Sequence, residues 1–283
     1  MVAATFSSGG VETAMPASSS RGRWNLDCLK RIIIRLAALS LFVGVWQAAS
    51  KSRTNLIVNF ANVPSPTAVA AAAVEFARAP KSRLHIANSV RRVAIGFGLA
   101  FVTAVPLGLS IGRSRLLGDV IMTPIEILRP IPGVAWIPLA ILMFPTPEQS
   151  MIFICFLGAI FPILLSTIHG VESLDPKLVC AAESLGARTW PILREVIFPG
   201  ALPSIVTGLA IGMGTCWFLV VTAEMISGQF GIGYFTWESY TMQKYPDIVV
   251  GMLVIALLGM ASSALVRWLG KRLMPWQQYE ATR

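Results

Sequence analysis

The sequence predicts an all-α polytopic membrane protein with six transmembrane helices, on three observations. Hydrophobic residues make up 55% of the 283 positions and charged ones only 13%, against roughly 25% charged content in soluble domains. The mean hydropathy is +0.68. A bilayer core of about 30 Å takes roughly 20 apolar residues per helix, so this length holds about six spans and their loops. The 23 Lys and Arg residues gather at the ends of apolar segments without interleaved aromatics. The net charge of +9 therefore reads as membrane topology rather than a nucleic-acid surface.

Taken in order, residues 1–30 read as a disordered cytoplasmic tail, since the first twenty are mostly Ser, Ala and Gly with almost no aliphatic run to offset their ordering entropy. Arg21, Arg23, Lys30, Arg31 and Arg35 precede the apolar stretch Leu36 to Ala49. The same arrangement is that of a signal peptide cleaved near Ala48-Ala49, but the spans that follow favour an uncleaved first helix, with Arg35 snorkelling towards the basic side. Five further uncharged runs follow: Val93 to Gly112, Pro130 to Pro147, Gln149 to Val171, Val196 to Ala223 and Ile248 to Val266. Backbone groups in lipid are satisfied only in helices or closed barrels, so these runs are expected to be helical despite their Gly and Pro. The transmembrane domain covers 31–272, and 273–283 form a cytoplasmic tail.

An even number of spans puts both termini on one side. Counting positive charges places the N-terminal cluster, Arg113 and Arg115, the segment with Lys177, Arg188 and Arg194, and the tail with Arg267, Lys271 and Arg272 in the cytoplasm. Lys51, Arg53, Arg78, Lys81, Arg83, Arg91 and Arg92 conflict with this, because they fall between the first two spans on the outside. Within that loop Val63 to Pro80 carries a helix signal, with Ser65 as N-cap, Pro66 at the first position and Pro80 as the stop.

The inner segment 172–203 differs from a simple connector. Asp175 is placed to cap a helix starting at Pro176, whose Leu178, Ala181, Ala182 and Leu185 form one apolar stripe. Gly186 ends it, since glycine readily takes the left-handed conformation of a helix C-terminus. Thr189 is placed to cap a second short helix from Trp190 towards Pro199. A helix of this kind below the membrane either docks in a groove on a soluble partner or packs as a re-entry loop on its own protein.

At Cys180-Ala181-Ala182, Gly186, Val196, Phe198 and Pro199 the chain resembles the EAA loop, E-A-A-x3-G-x9-I-x-L-P, of permease subunits of binding-protein-dependent ABC importers. Cys180 departs from the usual Glu. Pro64-Ser65-Pro66, Arg129-Pro130-Ile131-Pro132 with Ala135-Trp136-Ile137-Pro138, Ala201-Leu202-Pro203, and Ala223-Glu224-Met225 followed by Gly231-Ile232-Gly233 are similar to the nitrate, sulfonate and taurine branch. The resemblance implies a MetI-like permease fold in the bacterial inner (plasma) membrane. It also implies three protein partners: a cytoplasmic ATP-binding subunit, a periplasmic or extracellular solute-binding protein, and a second copy of the chain. The ATPase-coupling loop would then comprise Cys180, Ala181, Ala182, Glu183, Leu185, Gly186, Val196 and Pro199.

The chemistry present fits a transport subunit rather than an enzyme. There is no G-x4-G-K-[ST] phosphate loop, no G-x-S-x-G and no H-E-x-x-H, so no cofactor is expected and ATP hydrolysis belongs to a partner. His85 and His169 lie far apart without companion ligands, and the four cysteines show no CxxC spacing, so no metal site is expected. Charged residues in spans normally face the bundle interior or a wet cavity. Glu126 and Arg129, three apart on a helix, either form a structural ion pair or leave Arg129 to an anion path. Prolines between Pro130 and Pro138 preclude one unbroken helix, and freed backbone is tolerated where it lines a cavity. Pathway-lining candidates are thus Arg129, Trp136, Met213, Trp217 and Glu224, with bundle core as the alternative for Met213 and Trp217. The expected cargo is a small anion: nitrate, an alkanesulfonate or taurine ahead of bicarbonate, with a heterocyclic vitamin precursor as the alternative. The rival class, an ion-coupled secondary transporter, needs ionisable relays deep in several spans, in which this chain is poor. A membrane-embedded hydrolase needs a nucleophile with a base in reach, and neither histidine has an evident partner.

Overall fold

The computed structural model describes residues 20–52, 62–227 and 230–276, and every regular element among them is helical. The chain divides into two compact units, the first ending at Pro66. In the first, α1 spans Ser20–Ser52 and contains a candidate crossing, Ile33–Lys51, that includes the expected stretch Leu36 to Ala49. No proline interrupts it and the residues from Arg23 onward are mostly ordinary helix formers. Residues 20–30, expected in a disordered tail, are therefore helical. Residues 1–19, and 277–283 of the expected C-terminal tail, lie outside the described residues.

The second unit runs through α2 (Pro66–Arg78), α3 (Pro80–Arg113), α4 (Arg115–Leu128), a 3-10 turn (Gly133–Trp136), α5 (Ile137–Met143), α6 (Pro147–Glu172), α7 (Pro176–Ser184), α8 (Thr189–Pro191), a π turn (Ile192–Ile197), α9 (Phe198–Ser227), α10 (Ile232–Thr241) and α11 (Tyr245–Leu273). The predicted surface helix is α2, which starts at Pro66 and buries Val69, Ala72 and Phe76 on one stripe. Pro80 stops it and also opens α3. That second span starts thirteen residues before Val93, so Lys81, Arg83, Arg91 and Arg92, expected in a loop, are helical.

Three helices, α3, α6 and α9, form the core. Along α3 the small residues Gly96, Ala100, Ala104, Gly108 and Gly112 recur every fourth position and make one flat stripe. A Cβ added at Gly108 or Gly112 would lie 2.7 Å from Thr167 or Val171 of α6. Gly96 meets Cys155 in the same way. Contacts that rise together in sequence make α3 and α6 parallel. By contrast α9 is antiparallel to α6: Gly158 faces Thr215, whereas Gly170 faces Ala201 and Ser204. Close approach of backbones is how membrane helices gain packing energy where lipid removes the hydrophobic drive.

Parallel neighbours require the intervening chain to return across the membrane. It does so as a broken span, in which Leu116–Leu128 and Gly133–Met143 meet at 87°. The expected third span, Pro130 to Pro147, is therefore corrected: its apolar residues supply only the second arm, and α4 is the first. Pro130, Pro132 and Pro138 lack the N–H groups that would carry one helix through this stretch. Counting the bent pair as one, six segments among the described residues are long and apolar enough to cross.

The segment after α7 also departs from expectation. Thr189 is the first helical residue rather than the cap; Arg188 holds the N-cap position without a side-chain bond. The second short helix does not stop at Pro199 but passes through the π turn into α9. A proline ring clashes with the carbonyl four residues earlier, and the wider π turn just before Pro199 makes room for it.

Candidate functional site

Three places in the second unit carry chemistry, two at opposite ends of α3. Arg92 and Arg113, twenty-one residues apart on that helix, are separated by about 30 Å at 1.5 Å per residue, the thickness of a hydrocarbon core.

At the Arg113 end stands α7. Asp175 caps it, its carboxylate accepting the Lys177 N–H at 2.9 Å. Gly186 terminates it with φ of 79°. The Gly186 N–H donates to Glu183 O at 2.9 Å and the Ala187 N–H to Ala182 O at 3.1 Å, which is the Schellman arrangement. The expected single stripe divides into two faces. Val179 and Ala182 pack on the core together with Ala187 and Val196. Leu178, Cys180, Ala181, Glu183 and Leu185 face outward, Leu185 being 89% exposed, and Trp190 is exposed beside them. Pro199 is half-buried at the start of α9. One exposed ion pair, Arg113 to Glu183 at 3.3 Å, ties α7 to α3.

At the other end is a charged cluster largely shut off from solvent. Glu224 of α9 is 0% exposed and Arg92 of α3 is 1% exposed. Arg92 donates to Glu224 at 2.8 Å and to Glu148, at the start of α6, at 2.7 Å. Arg91 adds a second bond to Glu148 at 2.7 Å. The Ser89 hydroxyl donates to Glu224 at 2.7 Å and accepts the Ile232 N–H at 2.9 Å. The Gly233 N–H donates to the same carboxylate at 2.9 Å. Gly231, with φ of 153°, presses its Cα against that carboxylate where any side chain would collide. His85 completes the cluster, with Nδ1 2.9 Å from Gly231 O and its ring among Phe230, Tyr234 and Phe235. Four helices, α3, α6, α9 and α10, are thereby joined.

Between the ends lies a cavity of about 200 Å³, lined by Arg129, Ile131, Gly133, Trp136, Phe161 and Thr215 among others. Of the five pathway candidates, this space brings together Arg129 and Trp136. Met213 and Trp217 are placed in the core, 8% and 4% exposed, and the Trp217 indole donates to Ser262 of α11 at 2.8 Å. Glu224, expected to face a path, is instead enclosed by the cluster just described. No ion pair joins Glu126 to Arg129 among the described residues. No group of metal-ligating residues occurs among them either. Sequence reasoning missed Ser89, Arg92 and Glu148. Their one signal is the unusual Arg91-Arg92 pair ahead of an apolar run, and nothing links it to a carboxylate 132 positions away.

The described residues thus form a helical bundle with a broken span, a cavity at the break, a charged cluster at one end and an exposed capped helix at the other, the architecture of a multi-pass membrane protein. The family model for the binding-protein-dependent transport system inner membrane component matches residues 104–278, and the chain belongs to that family. It is 41% identical to a putative ABC transporter permease of Methanocaldococcus jannaschii, over 67% of this chain and 72% of that one. It is 30% identical to the nitrate import permease NrtB of Synechococcus elongatus, over 92% and 96%. The taurine transport permease TauC of Escherichia coli is 29% identical, over 91% and 94%. These relatives place it in the nitrate and taurine branch of ABC importer permeases. In fold it resembles a chain of the MetNI methionine ABC transporter in an inward-facing conformation, with a TM-score of 0.52 and 21% identity over 66% of this chain and 92% of that one.

Proposed function

We propose that this chain is the membrane-spanning half of an ATP-driven importer for a small anionic solute, of the kind named for its nitrate and taurine relatives. In this reading two copies form the conduit, a separate ATP-binding subunit docks on α7 from the cytoplasm, and a solute-binding protein delivers cargo at the Glu224 end. The observation that carries it is α7 itself. The helix is capped at both ends, anchored by Val179 and Ala182 and exposed along Leu178, Ala181 and Leu185, the form of a helix that lies in a partner's groove.

Lys177, Arg188 and Arg194 accompany α7, which supports a cytoplasmic side there by charge, and an even number of spans would bring both termini to that side. The conflicting charges on the opposite side lose weight, because Arg91 and Arg92 are neutralised by Glu148 and Glu224.

Affinity purification of the tagged chain in mild detergent, with mass spectrometry of co-purifying soluble proteins, tests the reading. A stoichiometric nucleotide-binding subunit supports it. A chain that purifies alone and takes up solute on an ion gradient without ATP points to a secondary transporter instead.

A further inference from the structure

The cavity at the broken span holds a cation at an unusual depth. On its wall, Gly158 lies ten residues beyond Glu148 on α6 and Thr215 nine residues before Glu224 on α9. At 1.5 Å per residue both stand about 15 Å from the Glu224 end, halfway through a core of about 30 Å. Arg129 lines this space. Among the described residues no carboxylate pairs with it. The Thr215 hydroxyl beside it is committed to the Gly158 carbonyl, and most of the remaining wall is aromatic or aliphatic. Arg129 is exposed, and an arginine at this depth is costly unless water or a counter-anion reaches it. Its flat fork of donors matches the oxygens of a planar or tetrahedral oxyanion better than a lysine does.

The same helix continues towards α7 with Asp119, Thr123 and Glu126 at successive turns, all exposed. Together with His169 and Glu172 of α6 they line a larger cavity of about 830 Å³, to which Arg113, paired with Glu183, also contributes. An anion leaving Arg129 in that direction meets carboxylates that hold it weakly, and a conducting path needs sites that bind without retaining.

Building on the importer reading above, we infer that Arg129 is the charge-selecting contact of the translocation path. It receives the anionic head of the solute at the break between α4 and the 3-10 turn, and the cavity lined by Asp119, Glu126 and Glu172 is an exit that binds the anion only weakly. Arg129 thus acts on the cargo directly, whereas Asp119 and Glu126 keep the exit from retaining it.

Two measurements on the complete complex, with its ATP-binding subunit and solute-binding protein in proteoliposomes, test this. In the first, labelled nitrate and taurine uptake is followed together with ATP hydrolysis. R129Q is expected to lower uptake about tenfold or more, the value of a lost charge-assisted contact. R129K, which keeps the charge but not the fork, falls between R129Q and wild type, and both variants keep the hydrolysis rate stimulated by the binding protein. In the second, a T215C reporter in a C28S/C180S background, with Cys155 and Cys216 buried, is titrated with anionic and cationic methanethiosulfonates. The anionic reagent reacts faster by about fivefold with Arg129 present, and the preference vanishes with R129Q. Wild-type uptake by R129Q, joint loss of uptake and hydrolysis in both variants, or a reporter without charge preference overturns the inference. A charge preference in a complex that moves neither solute supports Arg129 and counts against the proposed cargo.

Discussion

The two ends of α3 put the same chemistry to different uses. At one end Arg92 is enclosed with Glu224 and also binds the half-buried Glu148, and the Glu224 carboxylate takes further hydrogen bonds from Ser89 and the Gly233 backbone. At the other, Arg113 meets Glu183 in the open at 3.3 Å. Charges taken out of water are costly unless fully paired, so an enclosed cluster tolerates almost no rearrangement. An exposed pair loses little when it parts. The lesson is mechanical: the Glu224 end is a fixed joint of α3, α6, α9 and α10, and the α7 end is a contact that can yield. Small shifts imposed on α7 would then be levered through rigid helices about a joint that holds, because packed cores respond in steps rather than by stretching.

The largest effect expected from this contrast is at the joint. Glu224→Ala leaves Arg92 without one of its two main acceptors in an enclosed site, and a loss of about 3–5 kcal/mol is expected. It should appear as a marked drop in the thermal unfolding midpoint of the detergent-solubilised chain. A midpoint equal to wild type would break the comparison at its root. Next comes Gly186→Asp at the yielding end. There is open space around Gly186, so the cost arises from the left-handed backbone, about 1 kcal/mol, and from a charge set into the docking face beside Leu185. The protein is expected to reach the membrane at wild-type levels with an unchanged unfolding midpoint to within a few degrees. ATP-binding subunit recovered on pull-down should fall about tenfold, since an unpaired charge in an apolar groove costs at least that much. Normal co-purification together with normal transport would remove α7 from the coupling path. Smallest of all is Arg113→Ala, which breaks an exposed pair worth about 0–1 kcal/mol. Its unfolding midpoint should match wild type, and a drop comparable to that of Glu224→Ala would show that the two ends are not mechanically distinct.

Much of the α7 region was legible because its signals are local. Asp175, Pro176 and Gly186 act within a few residues of where they stand, so capping and φ requirements locate the helix directly. Thr189 misled by one position because a cap depends on the backbone entering the helix, and here Arg188 occupies that turn. The Arg129 break was legible for a similar reason: each proline removes a donor wherever the fold places it. The joint was not legible. Glu224 reads as a charge near a span end, and Arg92 reads as one more loop cation, until the bundle brings them together.

By itself, then, the sequence determined that this chain crosses a membrane as helices, that a stretch of prolines breaks one crossing, and that a capped helix stands between Asp175 and Gly186. These follow from composition, hydropathy and short-range backbone chemistry, which hold whatever the neighbours are. Only the tertiary structure decided that α3 and α6 run parallel on a stripe of small residues, that Met213 and Trp217 are core, and that Arg92 and Glu224 neutralise each other. Each depends on which residues from distant parts of the chain share one low-dielectric space, and pairing at that range leaves no periodicity or spacing in the sequence.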